Sequence, residues 1–176
     1  SSSTIDPNLT REVITGVRQL RNDGHDVGLV VATKSIAYLE RGDDPFVSHV
    51  ATYYHSHRIV KDLSEHTDDV IKLSIYDFRE ASEATYPTMQ RTAPEHQVIL
   101  ATPNWVDIMN PGVNKGSAVE AVQRDLGVTV DQTAIFGDFL NDLEMMPMAK
   151  WSFAMANGHP NIVKASNYVA PPNTEN

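Results

Sequence analysis

The sequence reads Ile135-Phe136-Gly137-Asp138-Phe139-Leu140-Asn141-Asp142 at the point that decides its fold. The apolar run predicts a buried strand over 133–137 that ends in Gly137-Asp138, and a helix is predicted over 142–149. Open α/β sheets bind ligands at the carboxyl ends of their strands. Aspartate oxygens there suit Mg²⁺, and the start of a helix favours an anion such as phosphate. The segment therefore predicts metal-assisted phosphate chemistry, although a turn and a helix cap would also explain it.

A second feature of the same kind is Lys115, in the segment Gly112-Val113-Asn114-Lys115-Gly116. This lysine lies at the predicted start of an amphipathic helix, where the helix dipole disfavours a cation. A bound anion held jointly by the lysine and the helix N-terminus would explain that placement. The alternative is a solvated surface lysine, which is common.

The chain changes character at Asn110-Pro111-Gly112, which we interpret as a linker between two domains. Beyond it, predicted helices and strands alternate, and alternation at this spacing indicates a parallel sheet. We predict strands over 151–155 and 168–169, a short helix over 160–165 and a longer helix over 116–126. Four residues of the longer helix are expected to face inward: Ala118, Val119, Val122 and Leu126.

The pattern of the first 109 residues predicts a different arrangement, in which helices are combined with β-hairpins and do not alternate regularly with strands. A helical pattern follows Asp6-Pro7, with Asn22-Asp23-Gly24 as its stop, and further helices are predicted over 43–53 and 80–91. Pro87 argues against the last of these. Strands are predicted over 27–32, 36–39, 70–76, 97–101 and 105–109. The segment His55-Ser56-His57 is interpreted as a solvated loop rather than a metal-binding pair on a strand, because no third ligand is near it in sequence.

The composition excludes several classes of function. The chain has 176 residues with a formal net charge of −9, so we expect no nucleic-acid partner, which would need clustered lysine and arginine. No apolar run approaches the roughly 20 residues that span a bilayer, so no membrane partner is expected. Cysteine is absent from the sequence, which excludes disulfides and favours a reducing, cytoplasmic location.

Taken together, these motifs resemble the haloacid dehalogenase superfamily, and within it the Cof-type phosphatases with a large α/β cap. Upstream segments, including Lys34-Ser35-Ile36-Ala37-Tyr38, resemble the cap of bacterial sugar-phosphate phosphatases. The order and spacing of four downstream segments carry the resemblance: Asn114-Lys115-Gly116, residues 135–146, Ala154-Met155-Ala156-Asn157-Gly158 and residues 163–169.

The resemblance implies an α/β fold, with an α/β cap over 1–110 and the C-terminal part of a Rossmann-like parallel-sheet core over 111–176. It implies a phosphatase of small phosphorylated metabolites such as sugar phosphates, with Mg²⁺ as cofactor. Lys115 matches the lysine that holds the phosphoryl group, and Asp138 matches the acidic Mg²⁺ ligand. Asn141 matches a residue near the substrate phosphate. Asp142 matches the second acid of the loop, which binds the metal through water or caps the helix.

The family's nucleophile motif, Asp-x-Asp-Gly-Thr after an apolar strand, does not occur in this sequence. Either residues 5–33 are a degraded catalytic half, or they are the first helix and strand of the cap, which we favour. The nucleophile would then lie outside this chain, and we expect the segment alone to be inactive. The strand over 133–137 would expose an apolar edge through which the chain could self-associate. The alternative function is a non-catalytic, phosphate-binding fragment or regulator.

Overall fold

The computed structural model describes residues 4–174, which form two compact units that divide between Pro111 and Gly112. Each unit is a mixture of helices and strands, and the second has a parallel sheet, so the predicted α/β class is confirmed. None of the helices in the described residues is long and apolar enough to cross a membrane.

The first unit begins with helix α1 (Pro7–Asn22). Asp6 caps it by accepting a hydrogen bond from the Asn8 amide at 2.7 Å, and Pro7 occupies the first helical position, where it loses no helical hydrogen bond. Val13 and Val17 lie on the buried face of the helix. The chain leaves the helix through Gly24, whose φ of +90° suits glycine.

A six-stranded sheet forms the centre of the first unit. The strand order is β3-β2-β1-β4-β6-β5, and all neighbours are antiparallel except β2 and β3. The strands are β1 (Val27–Thr33), β2 (Ala37–Leu39), β3 (His57–Ile59), β4 (Val70–Asp77), β5 (Gln97–Leu100) and β6 (Trp105–Met109).

Helices cover both faces of this sheet. Helices α1 and α3 (Thr85–Thr92) contribute to one apolar cluster, whereas α2 (Asp44–Tyr53) contributes Phe46 and Val50 to the other. Strand β1 is consequently buried along its first six residues and does not alternate. Gly28 is required there, because a Cβ atom on it would lie only 2.4 Å from the Phe46 ring.

Two predictions for the first unit need correction. The segment interpreted as a loop contains the start of β3, which pairs with β2 over only three residues. The helix predicted over 80–91 begins at Thr85, so Pro87 falls in its first turn. The amides of a first turn have no partner within the helix, and Pro87 therefore costs no hydrogen bond.

The second unit contains the predicted parallel sheet. Strands β7 (Ala134–Gly137), β8 (Trp151–Met155) and β9 (Tyr168–Ala170) lie in that order and run parallel. Helix α4 (Lys115–Leu126) precedes β7, and the short helix α5 (Pro160–Ala165) joins β8 to β9.

The helix predicted over 142–149 is wrong. The chain instead forms two 3₁₀ turns, Leu140–Asp142 and Met146–Met148. Pro147 disfavours the helical conformation of the residue before it and lacks an amide hydrogen. The carboxylate of Asp142 also turns back to accept hydrogen bonds from the amides of Asp138 and Phe139, which favours a tight turn.

Helix α4 presents most of its apolar stripe outward, contrary to the prediction, although Val119 packs against the apolar core of this unit as predicted. Val122 is 55 % exposed and Leu126 is 69 % exposed, and the buried positions are Gly116 and Gln123. The amide of Gln123 donates hydrogen bonds to the Met148 carbonyl at 2.7 Å and to the Thr133 hydroxyl at 2.9 Å. An apolar groove of about 590 Å³ therefore runs between α4 and the segment that leads into β7.

One face of the parallel sheet also carries exposed aromatic side chains. Phe136 stacks on Phe153 with 4.9 Å between ring centroids, and Phe153 stacks on Tyr168 at 5.2 Å. Trp151 also stacks on Tyr168, at 5.8 Å. Phe136, Trp151 and Tyr168 remain partly exposed, and β7 lies at an edge of this sheet.

Candidate active site

The candidate site lies where β7 and β8 end side by side. Gly137 is in register with Ala154, so Asp138 and the segment after Met155 emerge at the same edge of the sheet. Loops at this edge are the usual ligand sites of parallel sheets. The geometry thus places the predicted loop where the sequence argument required it.

Asp142 is the buried anchor of the site, with 4 % of its surface exposed. One carboxylate oxygen, Oδ1, forms an ion pair with the Lys115 ammonium. The other, Oδ2, accepts hydrogen bonds from the Asp138 amide at 2.9 Å and the Phe139 amide at 3.4 Å. Burial raises the pKa of Asp142, but the hydrogen bonds from Lys115 and the Asp138 amide outweigh it, and the pKa lies below its ordinary value.

Lys115 is the first residue of α4 and connects the helix to the loop. The helix start is capped independently by Asn114, whose side chain accepts a hydrogen bond from the Ser117 amide at 2.8 Å. The Asp142 carboxylate offsets the unfavourable effect of the helix dipole on the lysine. About half of the Lys115 side chain is exposed, and an ammonium group has three hydrogens to donate, so the lysine retains donors for an anion.

Two glycines allow the close packing of these elements. A Cβ atom on Gly116 would lie 2.3 Å from the Glu144 carbonyl oxygen, so α4 approaches the loop closely only because residue 116 lacks a side chain. A Cβ atom on Gly137 would lie 2.9 Å from the Asp142 Cβ. The distance between Lys115 and Asp142 therefore depends on both glycines.

Asp138 points its carboxylate outward. Its side chain is exposed, and Oδ2 accepts a hydrogen bond from the Asn173 amide at 3.2 Å. Its backbone carbonyl accepts from the His159 amide at 2.7 Å. Asn141 is partly buried beside it, and its side chain makes no hydrogen bond to any other residue within 4–174.

Three residues of the site had been given no role by sequence reasoning: Asn157, His159 and Asn173. Asn157 donates to Asn173 at 2.8 Å, and Asn173 in turn holds Asp138. Gly158 keeps this segment near Asp138, because a Cβ atom there would lie 3.0 Å from the Asp138 carbonyl oxygen. The signal available in the sequence was Asn157-Gly158, a polar residue beside a glycine two positions after β8, which resembles Gly137-Asp138 at the end of β7.

The donor set suits a hard divalent cation only in part. Asp138 offers an exposed carboxylate whose Oδ1 accepts no hydrogen bond from residues 4–174. Within the same range, no group of three or more His, Cys, Asp and Glu side chains is arranged to hold a metal. Mg²⁺ is commonly bound by one or two carboxylates together with water and substrate phosphate, so Asp138 fits one position of such a site.

The sequence profile of the haloacid dehalogenase-like hydrolases matches residues 1–176. The chain is 29 % identical over 154 residues to the 5-amino-6-(5-phospho-D-ribitylamino)uracil phosphatase of Escherichia coli, a match that covers 84 % of this chain and 55 % of that protein. It is 30 % identical over 74 residues to the HMP-PP phosphatase of Cronobacter sakazakii, covering 42 % of this chain and 27 % of the relative.

Solved structures agree with the sequence match. A haloacid dehalogenase-like hydrolase from Bacteroides thetaiotaomicron has a TM-score of 0.80 at 20 % identity, over 98 % of this chain and 64 % of the other. A haloacid dehalogenase subclass IIB sugar phosphatase has a TM-score of 0.72 at 20 % identity, over 97 % and 63 %. The chain spans about half the length of the E. coli relative. The fold and the profile together show that the chain belongs to the haloacid dehalogenase-like hydrolases.

Proposed function

We propose that this chain is part of a Mg²⁺-dependent phosphatase of small phosphorylated metabolites, with sugar phosphates as the substrate class. The observation that carries the proposal is the Lys115–Asp142 ion pair beside the exposed Asp138 carboxylate, at the carboxyl edge of a parallel sheet. The Lys115 ammonium can donate hydrogen bonds to a phosphate ester, and the Asp138 carboxylate can bind a metal ion beside it. Family membership supports the same reaction class.

Each residue has a proposed role that follows from its contacts. Lys115 donates to the phosphoryl oxygens with the hydrogens that Asp142 does not use. Asp138 binds Mg²⁺ through Oδ1. The side-chain amide of Asn141 donates a hydrogen bond to the substrate phosphate. Asp142 was also predicted as a metal ligand. Both of its oxygens are engaged, which favours orientation of Lys115 and of the loop, with any metal contact passing through water.

Mg²⁺, when bound, would neutralise charge on the phosphoryl oxygens. The attacking aspartate is proposed to lie outside residues 1–176, because the chain has no Asp-x-Asp-Gly-Thr segment. We accordingly assign residues 1–110 to a substrate-specificity cap and residues 111–176 to the C-terminal part of the catalytic core. The segment alone is expected to show no turnover.

The substrate class rests on the relatives. One match is a phosphatase of a phosphoribityl compound and another is a sugar phosphatase, and both names describe phosphate esters of polyhydroxylated molecules. The acidic net charge of −9 is consistent with a small substrate rather than a nucleic acid. The cytoplasmic location stays a prediction from the absence of cysteine.

The test is a phosphatase screen of the full-length gene product against a panel of sugar phosphates with Mg²⁺. Asp138→Asn and Lys115→Met should each lower kcat/KM by at least about a hundredfold, because the first removes the anionic ligand of Mg²⁺ and the second removes the cation that faces the phosphoryl oxygens. Lys150→Met is the matched control, since Lys150 pairs with Asp131 at the other end of β8. Phosphate binding without turnover in the unaltered protein would instead support the non-catalytic binder.

A further inference from the structure

We propose that Asn173 is a positioning residue for the Asp138 carboxylate, and that Asn157 sets the orientation of Asn173. The inference rests on the proposed function, because it assigns Asn173 a part in metal binding. The Asn173 amide nitrogen donates to Asp138 Oδ2 at 3.2 Å, across 35 positions of sequence. Two further hydrogen bonds join Asn173 to Asn157, at 2.8 and 3.3 Å.

The directions of these hydrogen bonds are determined by Asp138. An ionised carboxylate only accepts, so Asn173 must turn its NH₂ group toward it. The carbonyl oxygen of the Asn173 side chain then faces Asn157 and requires a donor there, which the Asn157 NH₂ group supplies. The remaining Asn157 oxygen accepts from the Asn173 backbone amide. Each of the three hydrogen bonds therefore joins a donor to an acceptor.

This chain of contacts fixes the side chain of Asp138, whereas other contacts fix only its backbone. The His159 amide and the Asp142 carboxylate hold the Asp138 main chain, through its carbonyl and its amide. Asn173 supplies the one hydrogen bond that the Asp138 carboxylate receives from residues 4–174. With Oδ2 held in this way, Oδ1 is the oxygen presented to a cation. Substituting a residue that orients a metal ligand commonly lowers metal affinity by about 10- to 100-fold.

The experiment is a calorimetric titration of the full-length protein with Mg²⁺ in the absence of substrate. Because the network is exposed to water, Asn173→Ala should raise the Mg²⁺ Kd by about tenfold, at the lower end of that range. Asn157→Leu keeps the approximate size, adds no charge and removes the donor, so the Asn173 side chain is no longer held in the orientation that faces Asp138. It should also weaken Mg²⁺ binding, by a smaller factor.

Asn167→Ala is the matched control, since Asn167 donates a comparable 2.9 Å hydrogen bond to the Lys150 carbonyl, away from Asp138. Asn167→Ala should leave Mg²⁺ affinity unchanged and lower the metal-free Tm about as much as Asn173→Ala. A purely structural role would give Asn173→Ala a lowered Tm with unchanged Kd, and this overturns the inference. If Asp138→Ala also keeps the unaltered Kd, the proposed metal site fails as well, which separates the two failures.

Discussion

The two units of this chain bury their sheets to very different extents. In the first unit, helices pack on both faces, and β1 is buried along its first six residues. In the second, β7 alternates between exposed and buried residues, and the aromatic row of Phe136, Phe153 and Tyr168 lies along one face. The predicted catalytic side chains all belong to the second, less covered unit. A local motif can therefore form at the end of a sheet whose own surface is largely uncovered.

The exposed β7 edge and the apolar groove beside α4 make the second unit a candidate surface for self-association. Large apolar patches on a protein surface mark sites of association. An edge strand with free backbone groups adds to that tendency. We propose that the chain, when isolated, self-associates through β7 and the adjoining α4 groove.

The largest expected effect comes from a matched pair of phenylalanines. Phe46 is fully buried in the first unit, and Phe136 is 58 % exposed in the second. Phe46→Ala should lower the free energy of unfolding of the first unit by about 3–5 kcal/mol. Phe136→Ala should lower that of the second by less than about 1 kcal/mol, the range of one exposed aromatic pair. Hydrogen exchange resolved by mass spectrometry measures both units in one sample, and equal losses would contradict the contrast.

An intermediate effect is expected from the Lys115–Asp142 ion pair. Lys115→Met leaves the buried Asp142 carboxylate without its cation, which should destabilise the second unit by about 1–3 kcal/mol at neutral pH. The folded pKa of Asp142 is depressed, so its stabilising contribution is complete above the ordinary value of 3.8 and is lost as pH falls through the lower folded pKa. Removing the lysine raises the folded pKa, so acid unfolding of the second unit should begin at a higher pH.

The matched control for this titration is in the first unit. Hydrogen bonds from Arg18 lower the pKa of Asp62 to about 2. Arg18→Met removes this effect and raises the pKa of Asp62, so acid unfolding of the first unit should begin at a higher pH. The pH at which the second unit unfolds should not change. Acid unfolding followed separately in each unit by hydrogen exchange tests the assignment, and a shift in both units with either variant would refute it.

The smallest expected effect on stability comes from the outward face of α4. Leu126→Ser removes a side chain that is 69 % exposed, so the free energy of unfolding should change by no more than about 0.5 kcal/mol. Self-association of the chain should nevertheless weaken, as measured by sedimentation. Arg124→Ser, at an exposed position of the same helical turn, is the control. An unchanged sedimentation profile for Leu126→Ser would remove the groove from the proposed interface.

Much of the fold follows from local signals. Asp6-Pro7 and Asn22-Asp23-Gly24 mark both ends of α1, and the apolar runs identify β1, β4 and β7. The three-residue strand β3 carries no such signal, because its conformation depends on pairing with β2. The outward face of α4 was also unpredictable, because helical periodicity identifies an apolar stripe but not what covers it.

The two ends of the site are predictable from local sequence. Gly137-Asp138 ends a strand and Lys115 begins a helix, and each of these follows from residues within a few positions. Which carboxylate oxygens remain available depends on contacts between residues that are distant in sequence. The Asp142 carboxylate forms an ion pair with Lys115, 27 positions away in sequence. The Asp138 carboxylate accepts a hydrogen bond from Asn173, 35 positions away. Such pairs depend on which strand ends meet at one edge of the sheet, and no local pattern of residues encodes that distance.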